Sequence, residues 1–211
     1  MKIRMKKIFN VGVNDYVGLV TSNGVKIRSY STWKSMLMRC YSDKYQIKYP
    51  SYIGCIVCAE WLYFSNFKRW FDENYVEGYQ LDKDILVNGN KIYSPETCCF
   101  VPQEINKMLV CPPKRKSDLP QGIVKPKNRK GYNVYLSKHK EGVVFLGYFL
   151  EKEKALSIYN EEKEKYVHNM AEQYFLKGEI TAQVYNALKV YKVKPQNDKQ
   201  NGETKNKENL S

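Results

Sequence analysis

Histidine is scarce. The chain has 211 residues and two histidines, His139 and His168. Neither lies between Leu81 and Asn106, so no histidine of that stretch can serve as its base or metal ligand. Long apolar runs are missing too: nothing approaches the roughly 18 residues needed to span a bilayer as a helix. "MKIRMKKIFN" starts basic but has no apolar segment behind it, so no secretory leader is expected and a cytoplasmic location is. Acidic residues are short: 22 Asp and Glu stand against 35 Lys and Arg, a net charge of +13. That imbalance points to a polyanionic partner, with nucleic acid foremost.

The basic charge is concentrated. Between Pro112 and Gly142 there are nine Lys or Arg and two acids, and the first ten residues add four more cations. The segment 194–211 has four Lys and three acids and contributes almost nothing. Such clustering suits a DNA-contacting surface. The six cysteines, in a chain with no expected leader, suit a reducing compartment and free thiols.

Local patterns give the elements. Asn23-Gly24 between two β-rich runs predicts a tight hairpin. "SYSTWKSMLMRCY" predicts a helix capped by Ser31, with Trp33, Met36, Leu37 and Cys40 on its inner face. "FSNFKRWFDEN" predicts a second helix with Phe64, Phe67, Trp70 and Phe71 inward. The spacing of these aromatics favours core packing over a base-stacking platform. "YQLDKDIL" reads as a strand, "VNGNKIYSPETC" as an irregular return, "CCFV" as a strand and "PQEINKML" as a helix opened by Pro102. The order is strand, loop, strand, helix. "CPPKRKSDLPQ" is a proline-rich charged linker. Beyond it come three strand candidates, a helix from Glu151 carrying Ala155, Tyr159, Tyr166 and Met170 along one side, and a shorter helix. From about Pro195 the chain reads as disordered.

"YSTWKSMLMRCY", "PSYIGCIVCAEWLYFSNFKRWF" and "LDKDILVNGNKIYSPETCCFVPQEIN", in that order, resemble phage-borne proteins of the HNH (His-Asn-His) endonuclease group, many of which are similar to mobile homing endonucleases. The resemblance covers roughly residues 10–110. It implies a ββα unit holding one divalent cation, Mg²⁺ or Mn²⁺, beside a scissile phosphate. Asp82 matches the metal-binding acid, and Asn106, one turn into the helix, matches the metal-side position. Lys83 stands where the general-base His is usual, and Thr97 where the orienting Asn is usual. Asp84, two residues past Asp82 on an alternating strand, is a candidate second carboxylate or base. The plainer reading of Asp82, Lys83 and Asp84 is an ion-pair cluster at a strand end. His139 and His168 read as surface residues. For the cysteines, buried thiols acting as small apolar residues are the default. A structural Zn²⁺ on Cys55 and Cys58 with Cys98 and Cys99, or on Cys40, Cys58 and Cys98, is the alternative.

"QGIVKPKNRKGYNVYLSKHKEGVVFLGYFLEKEKALSIYNEEKE" resembles the plant APETALA/ethylene-response-factor DNA-binding domain over roughly residues 120–170. That domain is a three-stranded antiparallel sheet backed by one helix. Alternation puts Tyr132, Val134 and Leu136 on one face and Asn133, Tyr135 and Ser137 on the other. The first face should take the helix, leaving Asn133 and Tyr135 as the DNA face and Arg129 and Lys130 for the adjoining phosphates, with Lys125, Lys127 and Lys138 also presented to DNA on the exposed side. This chain has fewer arginines than the plant domain and no Trp in the third strand.

The expected fold is thus α+β: a ββα-metal, HNH-like module followed by a three-stranded antiparallel sheet packed on one helix. The expected division is 1–30 for an N-terminal hairpin extension, 31–111 for the HNH-like part, 112–121 for the linker, 122–176 for the DNA-binding part, 177–193 for a helix and 194–211 for the tail. Double-stranded DNA is the expected partner, with no membrane and no small-molecule cofactor. Three functions stay open: a metal-dependent endonuclease, a catalytically degenerate DNA-binding regulator, and an RNA-binding or host-interaction protein.

Overall fold

Aromatic residues at helical spacing build the first core. In the computed structural model, which describes residues 7–109, 119–139 and 141–193, helix α1 (Arg28–Tyr41) buries Trp33, Met36, Leu37 and Cys40. They pack with Trp61 and with Phe64, Phe67 and Phe71 of α3 (Phe64–Asn74). The Trp33 indole donates to the Trp61 carbonyl at 2.6 Å, so a large apolar ring is buried without stranding its N–H. Trp70 is half-buried and stacks on Phe100 with centroids 5.3 Å apart. The inward faces of both helices follow the spacing of the sequence.

α1 does not start where a Ser31 cap would place it. It begins at Arg28, its N-cap is the extended residue Ile27, and no side chain caps it. Burial of Ser29 and the edge-on contact of Tyr30 with Phe64 at 5.1 Å make the extra turn worth forming. Packing outweighs capping here. The hairpin before it forms as expected: β1 (Thr21–Ser22) pairs with β2 (Val25–Lys26) around Asn23 and Gly24, both at positive φ. Upstream, Val13 donates to Leu62 at 2.8 Å and accepts from Phe64 at 3.0 Å. The Asp15 carboxylate then accepts from Ser65 N at 2.9 Å and Ser65 Oγ at 2.6 Å. Asp15 thereby caps α3 from a distance, since the residue at its N-cap, Tyr63, provides no side-chain cap.

The expected strand, return, strand and helix are present with shorter strands, but the return, read as irregular, carries a short strand of its own. α2 (Asp43–Lys48) and a 3-10 turn lead to β3 (Ile56–Val57), which pairs in parallel with β5 (Ile92–Tyr93). β4 (Gln80–Asp82) runs antiparallel to β6 (Cys99–Val101), with Asp82 opposite Cys99, and α4 (Gln103–Leu109) follows. β4 ends at Asp82 because that side chain accepts from the backbone N–H groups of Asp84 and Ile85 at 2.7 and 2.8 Å. An aspartate that bonds the backbone two residues on turns the chain out of a strand. Alternation therefore does not reach Asp84, which lies past the turn and is exposed.

The second sheet is antiparallel, in the order β7 (Ile123–Val124), β8 (Tyr132–Lys138), β9 (Gly142–Phe149). It packs on the long helix α5 (Lys152–Leu176) through Val134, Leu136, Ala155 and Tyr159. α6 (Ala182–Lys189) closes over α5, its start capped by Thr181. The core under this sheet also takes in Ile85, Val101, Ile105 and Met108 from the earlier elements. The buried Lys163 ammonium of α5 donates to the Met108 carbonyl, and Tyr79 donates its hydroxyl to the Glu179 carbonyl at 2.8 Å. The first of these bonds ties the helix that carries Asn106 to α5. Most of the expected 112–121 linker, the first six residues and the 194–211 tail lie outside the described residues. Among the described residues no helix is long and apolar enough to cross a membrane.

Candidate functional site

The loop after β4 is organised by a residue that sequence reasoning passed over. Asn90 donates its side-chain amide to the Lys83 carbonyl at 2.8 Å and to the Ile92 carbonyl at 2.6 Å. Its side-chain oxygen accepts from Ile92 N at 3.0 Å. The buried Lys83 side chain returns across the loop, its ammonium donating to the Asn90 carbonyl at 2.8 Å and to Asp84 Oδ2 at 2.8 Å. The signal for Asn90 was its place just past the Asn88-Gly89 turn, where a short amide readily bonds the backbone. Thr97 donates to the Ile92 carbonyl at 2.7 Å and pairs with Ser94 at 3.1 Å. It fastens the far end of the loop and makes no hydrogen bond with Lys83.

Asp82 and Asn106 keep oxygens to spare. Both hydrogen bonds to Asp82 fall on Oδ1. Burial raises its pKa, and the carboxylate of Asp84 adds to the rise; the two backbone N–H bonds and Lys83 oppose it. Asn106 spends its Nδ2 on Gln80 Oε1 at 2.8 Å. Gln80 and Asp82 share one face of β4, opposite the buried Leu81, so Asn106 is tied to the strand that carries Asp82. Among the described residues neither Asp82 Oδ2 nor Asn106 Oδ1 accepts a hydrogen bond. One carboxylate oxygen and one amide oxygen suit a hard divalent cation that completes its shell with water and phosphate. Among the described residues no three or more His, Cys, Asp or Glu side chains converge as a metal-holding group.

The thiols nearby are inert. The five described cysteines are free. Burial pushes Cys98 up to about 12, and burial with the neighbouring Cys55 does the same to Cys40. Cys99, opposite Asp82, is raised by burial and by the carboxylate. Cys40, Cys98 and Cys99 are therefore protonated at neutral pH, and none of these three is a nucleophile. His139 and His168 lie elsewhere, bonded to Tyr166 and Tyr191.

Asn106 also opens onto a cleft of about 260 Å³ between α1 and the β4–β6 pair. Arg28, Ser31, Ser35 and Arg39 line it from one side of α1, with Gln80 and Asn106 facing them. Arg39 is half-buried, with its guanidinium near the Tyr93 phenol. Burial works against its charge, but Tyr93 and Tyr52 keep its pKa raised. The Lys83 ammonium lies 5.9 Å from the same Tyr93 ring, so Arg39 reaches from the cleft to the Lys83 loop.

The second sheet offers a different surface. Its outer face carries Asn133, Tyr135 and Ser137 of β8, paired with Tyr148, Phe145 and Val143 of β9. Tyr135 and Phe145 are in ring contact at 5.3 Å, and Phe145 and Val143 are 55% and 69% exposed, an unusual load of bare apolar surface. Lys125, Lys127, Arg129 and Lys130 are exposed along the β7–β8 connection beside it. Lys138 does not join them. It falls on the helix side with Val134 and Leu136, pairs with Glu141 at 3.3 Å and sits over the Tyr166 ring. Sequence reasoning missed the aromatic part of this face, although "VVFLGYF" alternates visibly. Comparison of the chain with protein-family models, curated proteins and solved structures returns no match.

Proposed function

We propose that this chain is a DNA-binding, metal-dependent endonuclease of the HNH type, of phage or mobile-element kind, guided by its C-terminal sheet. The observation that carries the reading is the placement of Asp82 at the end of β4 and Asn106 one turn into α4, each with an oxygen that has no hydrogen-bond partner among the described residues. A Mg²⁺ or Mn²⁺ ion on these oxygens would supply charge stabilisation at a phosphodiester. The chain's own residues do the rest. Asn90 and Thr97 hold the loop that carries Asp82, and Gln80 orients the Asn106 amide. The buried Lys83 Nζ is already engaged by Asp84 and the Asn90 carbonyl, so Lys83 fixes the loop. Asp84 is the carboxylate left for proton transfer. It is exposed, and Lys83 engages only its Oδ2.

The sheet would find the DNA. A small sheet fits the major groove, where Tyr135, Phe145 and Val143 can meet thymine methyl groups and Asn133 can read a base edge. The basic β7–β8 connection would take the flanking phosphates. The test is nicking of supercoiled DNA with Mg²⁺, Mn²⁺ or EDTA, beside Asp82→Ala. A second reading has one observation in its favour: a pinned lysine stands where a base is usual. On that reading the chain binds DNA as a regulator and cuts nothing.

A further inference from the structure

The cleft beside Asn106 has a composition at odds with a plain solvated helix face. It is lined by two arginines, the hydroxyls of Ser31, Thr32 and Ser35, and the amides of Gln80 and Asn106, with no aspartate or glutamate among its lining residues. Among the described residues neither Arg28 nor Arg39 is in an ion pair. Arg39 is half-buried, and its neighbours are neutral: the Tyr93 phenol and the ring of Tyr52 at 5.6 Å. A guanidinium drawn into a protein without a carboxylate leaves planar N–H donors that match an oxyanion, which arginine takes in bidentate fashion. The first turn of α1 borders the same space with no acidic residue and no side-chain cap.

From these features we infer that the cleft binds a phosphate group, and that the phosphate belongs to the nucleic-acid backbone. Arg39 grips the phosphate from within and Arg28 from the rim, while the serine and threonine hydroxyls and the Asn106 amide surround it. The assignment deepens the nuclease reading and rests on it for the DNA. Arg39 lies near Tyr93, and the Lys83 ammonium lies 5.9 Å from that ring, so the cleft borders the Lys83 loop. DNA would then be held at two places, the cleft and the C-terminal sheet.

The test uses the full chain with a short duplex, measuring affinity across salt concentrations for wild type, Arg28→Ala, Ser35→Asp and Arg39→Lys. Arg28 is exposed and Ser35 half-buried, and thermal melts check each fold. Loss of one phosphate contact should flatten the slope of log K against log salt by about 0.9 in Arg28→Ala. Ser35→Asp, which adds a negative charge to the cleft, should weaken binding at least about ten-fold, since a like charge repels phosphate. Arg39→Lys keeps the charge but loses the fork and should weaken binding too. Inorganic phosphate is titrated in parallel. Folded Arg28→Ala and Ser35→Asp proteins with wild-type affinity and slope overturn the inference. So does phosphate binding that both variants abolish while DNA binding is untouched, because the ligand is then a free phosphate. A flattened slope in Arg28→Ala, beside a wild type that never nicks, supports the cleft and sinks the nuclease reading alone.

Discussion

Lys83 and Asn90 hold each other twice. The Lys83 ammonium donates to the Asn90 carbonyl at 2.8 Å, and the Asn90 amide donates to the Lys83 carbonyl at 2.8 Å. This reciprocal clasp closes the loop between β4 and β5 and sets the backbone on which Asp82 turns. It also explains why a lysine can occupy the place expected for a base. Its charge is spent on loop geometry, with Asp84 as counter-ion.

Asn90→Ala removes three hydrogen bonds at once and strands the Lys83 carbonyl and the Ile92 N–H, while the Ile92 carbonyl keeps Thr97. Leaving such groups unpaired costs about 1–3 kcal/mol each when buried. We expect a loss of about 2–3 kcal/mol in urea unfolding and a weaker metal response at Asp82. An unchanged midpoint would mean the clasp is incidental.

Asp15 makes acid stability testable. Its pKa is lowered: burial acts upward, but hydrogen bonds from the Ser65 side chain and backbone outweigh it. A carboxylate depressed in the native state adds stability above its unfolded value, near pH 4. That stability is lost as the pH falls through the lower native value. Asp15→Ala should cost about 1 kcal/mol at neutral pH, the usual cost of losing a cap, and its deficit relative to wild type should shrink in acid. A deficit constant from pH 7 to pH 2 would contradict the capping role.

Gly122 has positive φ, and a Cβ there would run into the Tyr159 ring and the Tyr135 carbonyl. Backbone and a core ring cannot both yield. Gly122→Ala should destabilise by about 1–3 kcal/mol, as overpacking does, with the loss read in thermal unfolding. DNA affinity should follow only through the fold.

The sheet's two kinds of contact should separate in binding experiments. Lys127→Ala and Arg129→Ala should each flatten the salt dependence by about 0.9 where they meet a phosphate. Tyr135→Ala should weaken binding while leaving that slope alone. Lys138→Ala, on the helix side, should change DNA binding least. A Tyr135 effect confined to the slope, or a Lys138 effect as large as that of Lys127, would contradict the assigned faces.

What the sequence made legible were repeating local patterns. The inner faces of α1 and α3, the Asn23-Gly24 hairpin and the alternation of β8 need only a residue and its neighbours, so they could be read directly. The length of β4 could not be read, because the Asp82 side chain competes with the ladder for the backbone N–H groups of Asp84 and Ile85. The start of α1 was misplaced because tertiary burial of Ser29 and Tyr30 outweighed a favourable cap. Arg28, Ser35 and Arg39 look like an ordinary solvated helix face until β4 and α4 fold opposite them. The packing of α4 on α5 joins residues some fifty positions apart, as Lys163 and Met108 show, and no local pattern announces it.

The central claim is that Asp82 and Asn106 support metal-dependent phosphodiester cleavage. Nicking and DNA affinity should be measured on the same samples of wild type, Asp82→Ala and Asn106→Ala, with Mg²⁺, Mn²⁺ or EDTA. The account predicts metal-dependent nicking by the wild type, at least about a hundred-fold slower in Asp82→Ala, a loss typical of removing a catalytic group, with DNA affinity nearly unchanged. Tight binding by all three proteins with no nicking under either metal would contradict it, and would leave a nuclease-shaped protein that reads DNA without cutting it.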